Sequence, residues 1–497
     1  MGVIRKQGLW STLFIYSGFA FGFLNAIILF PKFLSQEHYG LTMVLLDAGK
    51  FVSSLALMGS LSVLVKFSPY YRANLKNREN DILTLTTLIS GVGFLLVSLV
   101  ILLKSDFIIR KFGANSPEFT EHFFLIIPIA FFFVLYNLLE TYASIFHYTR
   151  VGALLREVGV RIFVSLLLIL VGFKWISVQT FLVAYSLQYG MIVIILILVL
   201  VKLKQFILPF KFSKVTKRYK KKILIYASYM QGGILISVAA VTVDSIFIAS
   251  MGGLPKVATF TIGRYLAELV QAPYRAFGAI SAPIISDAWR RKDYGLLESI
   301  YKKTSINQLL AGILVFGGLW INLDWILHWL GNGFYEAKPV FLVLGLTRVI
   351  DLGAGLNAEI LGSSNKWRFN FLSQAILMFL FIPINFILLK NYGIVGSAFA
   401  SLIAFFSYNL VRFIYILRVF KLQPFTRQTL YPILMGIGLL GLYETLLSPA
   451  EPNPLQQLFY SAAFAALFVG LALYLRISED LNKFLSQLKA RMLKKAN

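Results

Sequence analysis

The stretch TFTIGRYLAELVQAPYRAF at 259–277 carries Arg264, Glu268, Gln271 and Arg275 inside an apolar run long enough to cross a bilayer. Their spacing of i, i+4, i+7 and i+11 puts all four on one face of a helix. A second apolar run repeats the pattern with Arg348, Asp351, Gly355 and Glu359. Elsewhere Asp47 and Lys50 (i, i+3), Glu140, Asp244 and Asn25 also lie at depth. A charge at the centre of hydrocarbon costs about 3 kcal/mol even on a lenient insertion scale, so such groups face protein or water and mark a substrate or ion path by default.

Basic groups at mid-depth suit an anion such as phosphate, which arginine grips through two parallel N–H bonds. Lys50, Arg264 and Arg275 are therefore candidate substrate-binding residues. The acids Asp244, Glu268 and Asp351 are candidates for coupling to a proton or sodium ion, and Glu140, Arg348 and Glu359 are further intramembrane charges. The bland alternative is that Lys50 with Asp47, Arg264 with Glu268 and Arg348 with Asp351 are paired struts between helices. Arg275 has no acid at i±3 or i±4, but its place near a helix end also allows it to reach the interface.

No other chemistry is visible. The chain has no Cys and four scattered His, so neither a thiol nucleophile nor a metal-ligand spacing is present. There is no Ser/His/Asp set and no phosphate-binding glycine loop. We expect no catalysis, no metal site and no cofactor.

The elements that must position these charges are membrane helices. Of 497 residues 58% are hydrophobic and only 14% charged, against about 25% charged in ordinary soluble domains. Runs of roughly 20 apolar residues, the length that spans a bilayer core, occur at 9–30, 41–65, 82–103, 122–146, 158–173, 180–201, 223–250, 257–285, 304–323, 338–361, 369–389, 394–417, 430–447 and 456–475. The expectation is an all-α polytopic membrane protein with 14 transmembrane helices. The net charge of +25 does not imply nucleic acid, because the basic residues fall mostly in short connectors: 35 Lys and Arg lie on the set of connectors that includes both termini and eight on the other. That asymmetry predicts cytoplasmic termini.

The basic stretch KLKQFILPFKFSKVTKRYKKK at 202–222 separates the first six spans from the next six. It reads as a cytoplasmic linker or an anchor for anionic membrane lipids. Ile-Tyr recurs at the start of spans 1 and 7, and Lys50 precedes Pro69 by the same 19 residues that separate Arg264 from Pro283. We therefore expect an N-terminal six-helix bundle at 1–201, the linker at 202–222, a second six-helix bundle at 223–417, and two extra helices with a basic tail at 418–497. Pro273, between the charged turns of span 8, is the proline best placed to bend with function.

The start MGVIRKQGLWSTLFIYSGFAFGFLNAIILFPKFLSQEHYGLTMVLLDAGKFVSSLALMGSLSVLVKFSPYYR carries a basic RKQG, the turn FLSQEHYG, a charged second span and the exit KFSPYYR. With these elements the chain resembles Wzx-like polysaccharide and lipopolysaccharide-biosynthesis flippases of the multidrug/oligosaccharidyl-lipid/polysaccharide exporter superfamily. The resemblance implies two bundles around a central cavity lined by spans 1, 2, 7 and 8, in the bacterial inner membrane. It further implies alternating access that moves an undecaprenyl-pyrophosphate-linked oligosaccharide outward. On that pattern Lys50 and Arg264 meet the pyrophosphate, Asn25 and Asp47 lie close by, and Asp244 is a further cavity residue. A polysaccharide polymerase or other assembly proteins are implied partners. Span 1 has no deep basic residue, which speaks against a lipid II flippase, and the terminal helix pair speaks against a drug antiporter. A scaffold for polysaccharide assembly is the non-transport alternative.

Overall fold

A computed structural model describes residues 17–483 apart from His147, Phe210 and 450–452, together with Ser486. The start of the first span (9–16), its Ile15-Tyr16 pair, the basic RKQG and the end of the basic tail (487–497) lie outside the described residues. Among the described residues every regular element is helical.

The helices are α1 (Ser17–Phe33), α2 (Gln36–Ala56), α3 (Ser60–Asn74), α4 (Ile82–Leu103), α5 (Ile126–Ile145), α6 (Thr149–Leu154), α7 (Val160–Gly172), α8 (Val178–Ser186), α9 (Gln188–Lys202) and α10 (Lys214–Gly252). There follow α11 (Leu254–Val270), α12 (Ala272–Arg291), α13 (Tyr294–Leu330), α14 (Ala337–Gly353), α15 (Asn357–Ser363), α16 (Trp367–Phe420), α17 (Leu430–Leu442) and α18 (Pro454–Tyr474). Among the described residues, eight helices are long and apolar enough to cross a membrane, and ten spans result when each of two bent pairs counts as one. The chain is a multi-pass membrane protein.

A count of fourteen is compatible with these helices. α16 has 54 residues, yet Arg412 hydrogen-bonds to Asn370 and Ser373, which about 60 Å would separate on a straight helix. The chain must turn back between them. It does so at Gly393 (φ 61°, ψ −150°), a conformation closed to side chains with a Cβ, and the two arms match the runs expected at 369–389 and 394–417. The other expected spans fall on α1, on α6–α7 and on α11–α12.

Contacts divide the chain at residue 261 into a first unit, Met1–Thr261, and a second, Ile262–Asn497. This differs from the boundary expected at 202–222, and the reason is local. Residues 214–222 are the first turns of α10, capped by Ser213, whose side chain accepts from Thr216 N. The Asp81 carboxylate, wholly buried, accepts from Ser213 N at 2.9 Å and from Thr216 Oγ1 at 2.7 Å, while Tyr71 pairs with Thr216 at 2.7 Å. The basic segment is thereby docked on the first unit. Lys217, Arg218 and Lys220 to Lys222 stay exposed on its outer side.

Span 2 was expected to run unbroken over 41–65, but α2 and α3 meet at an angle of 45°. At the break Gly59 is left-handed (φ +77°), and a Cβ there would lie 2.2 Å from the carbonyl oxygen of Ala227 on α10. A broken helix strands backbone groups where no water reaches them. Gln231 of α10 satisfies two at once: its Oε1 accepts from Gly59 N at 2.6 Å and its Nε2 donates to Ser54 O at 2.7 Å.

Gln231→Leu is expected to destabilise the first unit by about 2–4 kcal/mol, the cost of leaving two buried backbone groups unpaired. Gly59→Ala should be at least as damaging. The thermal unfolding midpoint in detergent, with Gln231→Glu as a size control, measures both.

Candidate functional site

In the first unit the charged centre is built by α2 and α10. Asp47 is 4% exposed, and its Oδ2 accepts from Ser245 Oγ of α10 at 2.6 Å. Its other oxygen lies 3.6 Å from Lys50 Nζ, one helical turn along. The Lys50 side chain keeps 32% of its surface exposed while that of Asp47 keeps 6%. The pair is thus asymmetric: a buried anion holds a cation whose outer side remains accessible. Asp244, next to Ser245 on α10, is also buried. The unit therefore brings Asp47, Lys50 and the Asp244–Ser245 turn onto one helix contact, as intramembrane charges require.

Asn25 takes a different place. Its Nδ2 donates to the carbonyl of Arg161 at 2.8 Å, and its Oδ1 accepts from Ser165 Oγ at 2.6 Å. Both ends of the amide link α1 to α7.

Glu140 belongs to a second cluster in the same unit. It accepts from Tyr136 OH at 2.7 Å and from Arg156 Nη1 at 2.7 Å, while Arg156 Nε reaches Glu157 at 3.1 Å and Arg161 lies 3.7 Å from Glu157. Both arginines are among the 35 basic residues counted on connectors; Arg156 lies on a π-helical turn, Leu155–Gly159, that joins α6 to α7, and Arg161 lies at the start of α7. The wider π turn brings residues five apart toward the same side, so both arginines share Glu157. The charge-rich REVGVR beside an apolar run was the available signal.

In the second unit the expected stripe from Arg264 to Arg275 is interrupted. α11 ends at Val270 and α12 begins at Ala272, with Pro273 in its first turn and Gln271 between them. Proline is tolerated there and not further in. Arg264 and Glu268 stay half-buried on α11, and Arg275 is exposed on α12. The span holding Arg348, Asp351 and Glu359 is also broken, at an angle of 49°, with Gly355 at φ +65° in the gap between α14 and α15. Arg348 does not pair with Asp351; its guanidinium sits over the ring of Phe405, 5.1 Å from the centroid. Asp351 accepts from Gln271 Nε2 at 2.8 Å and from Asn409 Nδ2 at 2.8 Å, and Glu359 accepts from Tyr274 OH at 2.9 Å. Both acids thus face the break after α11.

The most buried basic residue among those described lies near the end of the run expected at 394–417, and it is one of the 35 counted on connectors. Arg412, 1% exposed, donates to Ser373, Asn357 and Asn370 and stacks on Tyr408 at 3.8 Å. Asn409 and Arg412 at i, i+3 within FFSYNLVRFIYIL were a readable sign of a polar face. The second unit also contains an apolar cavity of about 360 Å³ lined by Phe277, Leu310, Leu314, Phe468 and Leu481, with Asn307 and Asp480 at its polar edge. Among the described residues no group of His, Asp or Glu is arranged to hold a metal ion.

This layout of helices has solved counterparts. The structure of the lipid II flippase MurJ in an inward closed conformation superposes with a TM-score of 0.73, covering 94% of this chain and 99% of that one at 15% identity. The fold is that of the lipid II flippase MurJ. An inward-facing multidrug resistance MATE family transporter of the MOP superfamily matches with a TM-score of 0.57 and 14% identity over 82% of this chain and 93% of its own. A mutant of the Vibrio cholerae MATE transporter VcmN gives 0.51 and 17% identity over 84% and 98%. No protein-family model and no curated protein matches at the level of sequence. The MurJ match leaves about 6% of the chain uncovered, fewer residues than α17 and α18 hold together, so it takes in part of that terminal pair.

Removing the cation from the buried Asp47 tests the first-unit centre. Lys50→Met should lower stability by about 2 kcal/mol, less than the 3–5 kcal/mol of a fully buried broken pair because Lys50 is a third exposed. Asp47→Asn in the same chain should recover most of that loss. Thermal unfolding of the two single variants and the double variant reads the coupling.

Proposed function

We propose that the protein is a flippase that moves a polyprenyl-diphosphate-linked oligosaccharide across the bacterial cytoplasmic membrane by alternating access, for surface polysaccharide or lipopolysaccharide assembly. The observation that carries this reading is the likeness to a lipid II flippase over 94% of the chain. The accessible cation of Lys50, held in place by a buried carboxylate, supports it further.

The chemistry follows from these parts. Lys50 on α2 of the first unit is the candidate group for the diphosphate, and Arg264 on α11 and Arg275 on α12 are the candidates in the second; a basic group holds such a charge far more strongly away from bulk water. Asp47 positions Lys50, and Asn25 holds α1 against α7. Asp244, buried next to the Ser245 that donates to Asp47, is placed to couple a proton or sodium ion to that centre, with Glu268 on α11 as a further acid for the same purpose. The apolar cavity beside α18 suits a hydrocarbon chain and not a charged head group. The termini face the cytoplasm, where the exposed lysines of 217–222 meet anionic lipid, and a polysaccharide polymerase is a fitting partner.

A lipid II flippase is the second reading, favoured by the name of the MurJ structure; it shares the diphosphate and differs in the sugar. A cation-coupled multidrug antiporter is favoured by the MATE structures, which match with lower scores.

Lys50→Ala combined with Arg264→Ala should abolish export of the glycan, at unchanged protein level in the membrane, when surface glycan and inner-leaflet precursor are both measured. Export at the wild-type rate would refute the flippase assignment. Proteoliposomes loaded with polyprenyl-diphosphate oligosaccharide or with lipid II separate the first two readings by which head group is translocated. Loss of dye resistance on removing Asp47 or Asp244, but not Lys50 and Arg264, would instead support the antiporter.

A further inference from the structure

In the second unit, Arg412 projects from the second arm of α16 into a shell of oxygens. Its Nε donates to Ser373 Oγ at 3.0 Å, its Nη1 to Asn357 Oδ1 at 3.2 Å and its Nη2 to Asn370 Oδ1. Tyr408 covers one face of the guanidinium. All three direct partners are neutral. The balancing anion lies two amides away, because Asn357 Nδ2 donates to Asn409 Oδ1 at 2.7 Å and Asn409 Nδ2 donates to Asp351 Oδ1 at 2.8 Å. Each amide turns its oxygen toward the cation and its NH₂ toward the anion, so the chain is polarised in one direction from Arg412 to Asp351. Such aligned bonds strengthen one another in a medium of low dielectric.

Two amide carbonyls and a hydroxyl around one point, with carboxylates close behind, form the oxygen-rich environment that a hard cation takes. Broken membrane helices supply such places in many transporters, and Asn357 opens α15 just after the break. Here a protein group stands at that point. Because a guanidinium keeps its proton at any working pH, the position is never vacated. The other titratable or charged groups facing it are Glu359 on α15, Tyr274 on α12, Tyr301 on α13 and Tyr408 on α16. Arg348, on α14, is turned onto Phe405.

We propose that Arg412 is a built-in occupant of a cation site in the second unit, so that Asp351 recruits no coupling ion, and that removing the guanidinium turns the Asn357–Asn370–Ser373 shell into a site for a monovalent cation such as sodium. The sequence alone had offered Asp351 as a coupling residue. With Arg412 in place any coupling belongs to other acids. The proposal does not depend on which substrate is carried, so it stands or falls separately from the flippase reading.

The test is the unfolding midpoint of the full-length protein in detergent, with sodium chloride replaced by choline chloride at constant ionic strength and pH. For the wild type the midpoint should be the same in both salts. Arg412→Gln should unfold several degrees lower in choline and recover in sodium, and adding Asp351→Asn should remove that response. Arg412→Lys, which keeps the charge, should stay insensitive. A wild-type midpoint that rises specifically with sodium and loses the response in Asp351→Asn would overturn the proposal, and this arm requires no Arg412 variant to fold. A folded Arg412→Gln protein that does not respond to sodium would overturn it as well.

Discussion

Inside a bilayer a polar group has no water to fall back on, and every departure from a continuous apolar helix must find its partner within the protein. The described helices depart from that ideal at many points, and at each one a specific side chain closes the gap. Gln231 bonds to both sides of the break between α2 and α3. Ser305 donates to the carbonyl of Gly353 at 2.5 Å where α14 ends. Asn25 ties the π-turned α1 to α7. The breaks are thereby stable features of the fold.

The two units solve the problem of buried charge differently. In the first, Asp47 is paired with a lysine that stays a third exposed, which leaves the outer side of the ammonium open. In the second, the polar network closes on itself: Arg412 is buried and every donor it turns toward Asn357, Asn370 and Ser373 is matched. An accessible lysine keeps its outer side open, whereas the buried guanidinium is taken up by Asn357, Asn370 and Ser373.

Much of this was open to inspection in the residues. The positions of the apolar runs anticipated the helices, with which a count of fourteen is compatible, and the reversal at Gly393 fell between two of them. Asp47 with Lys50 was a correct local pair because i, i+3 neighbours share a helix face whatever surrounds them. The pairing of Arg348 with Asp351 failed on the same rule, since Phe405 from another helix offered the arginine its ring and Asn409 took the acid. Arg412 was counted with a connector because a basic residue near a span end reads that way, and only tertiary neighbours such as Asn357 and Asn370 show that it points inward.

The sequence by itself determined that this is a multi-pass helical membrane protein, because hydropathy and helical periodicity are properties of a single segment. It could not decide where helices break, since Gly59, Gln271 and Gly355 become breaks only when Gln231, Pro273 and their neighbours make the broken form satisfiable. Nor could it decide which buried charges are available and which are quenched. That depends on donors and acceptors far apart in the chain, such as Asn357, Asn370 and Arg412, which become neighbours only once the helices have packed.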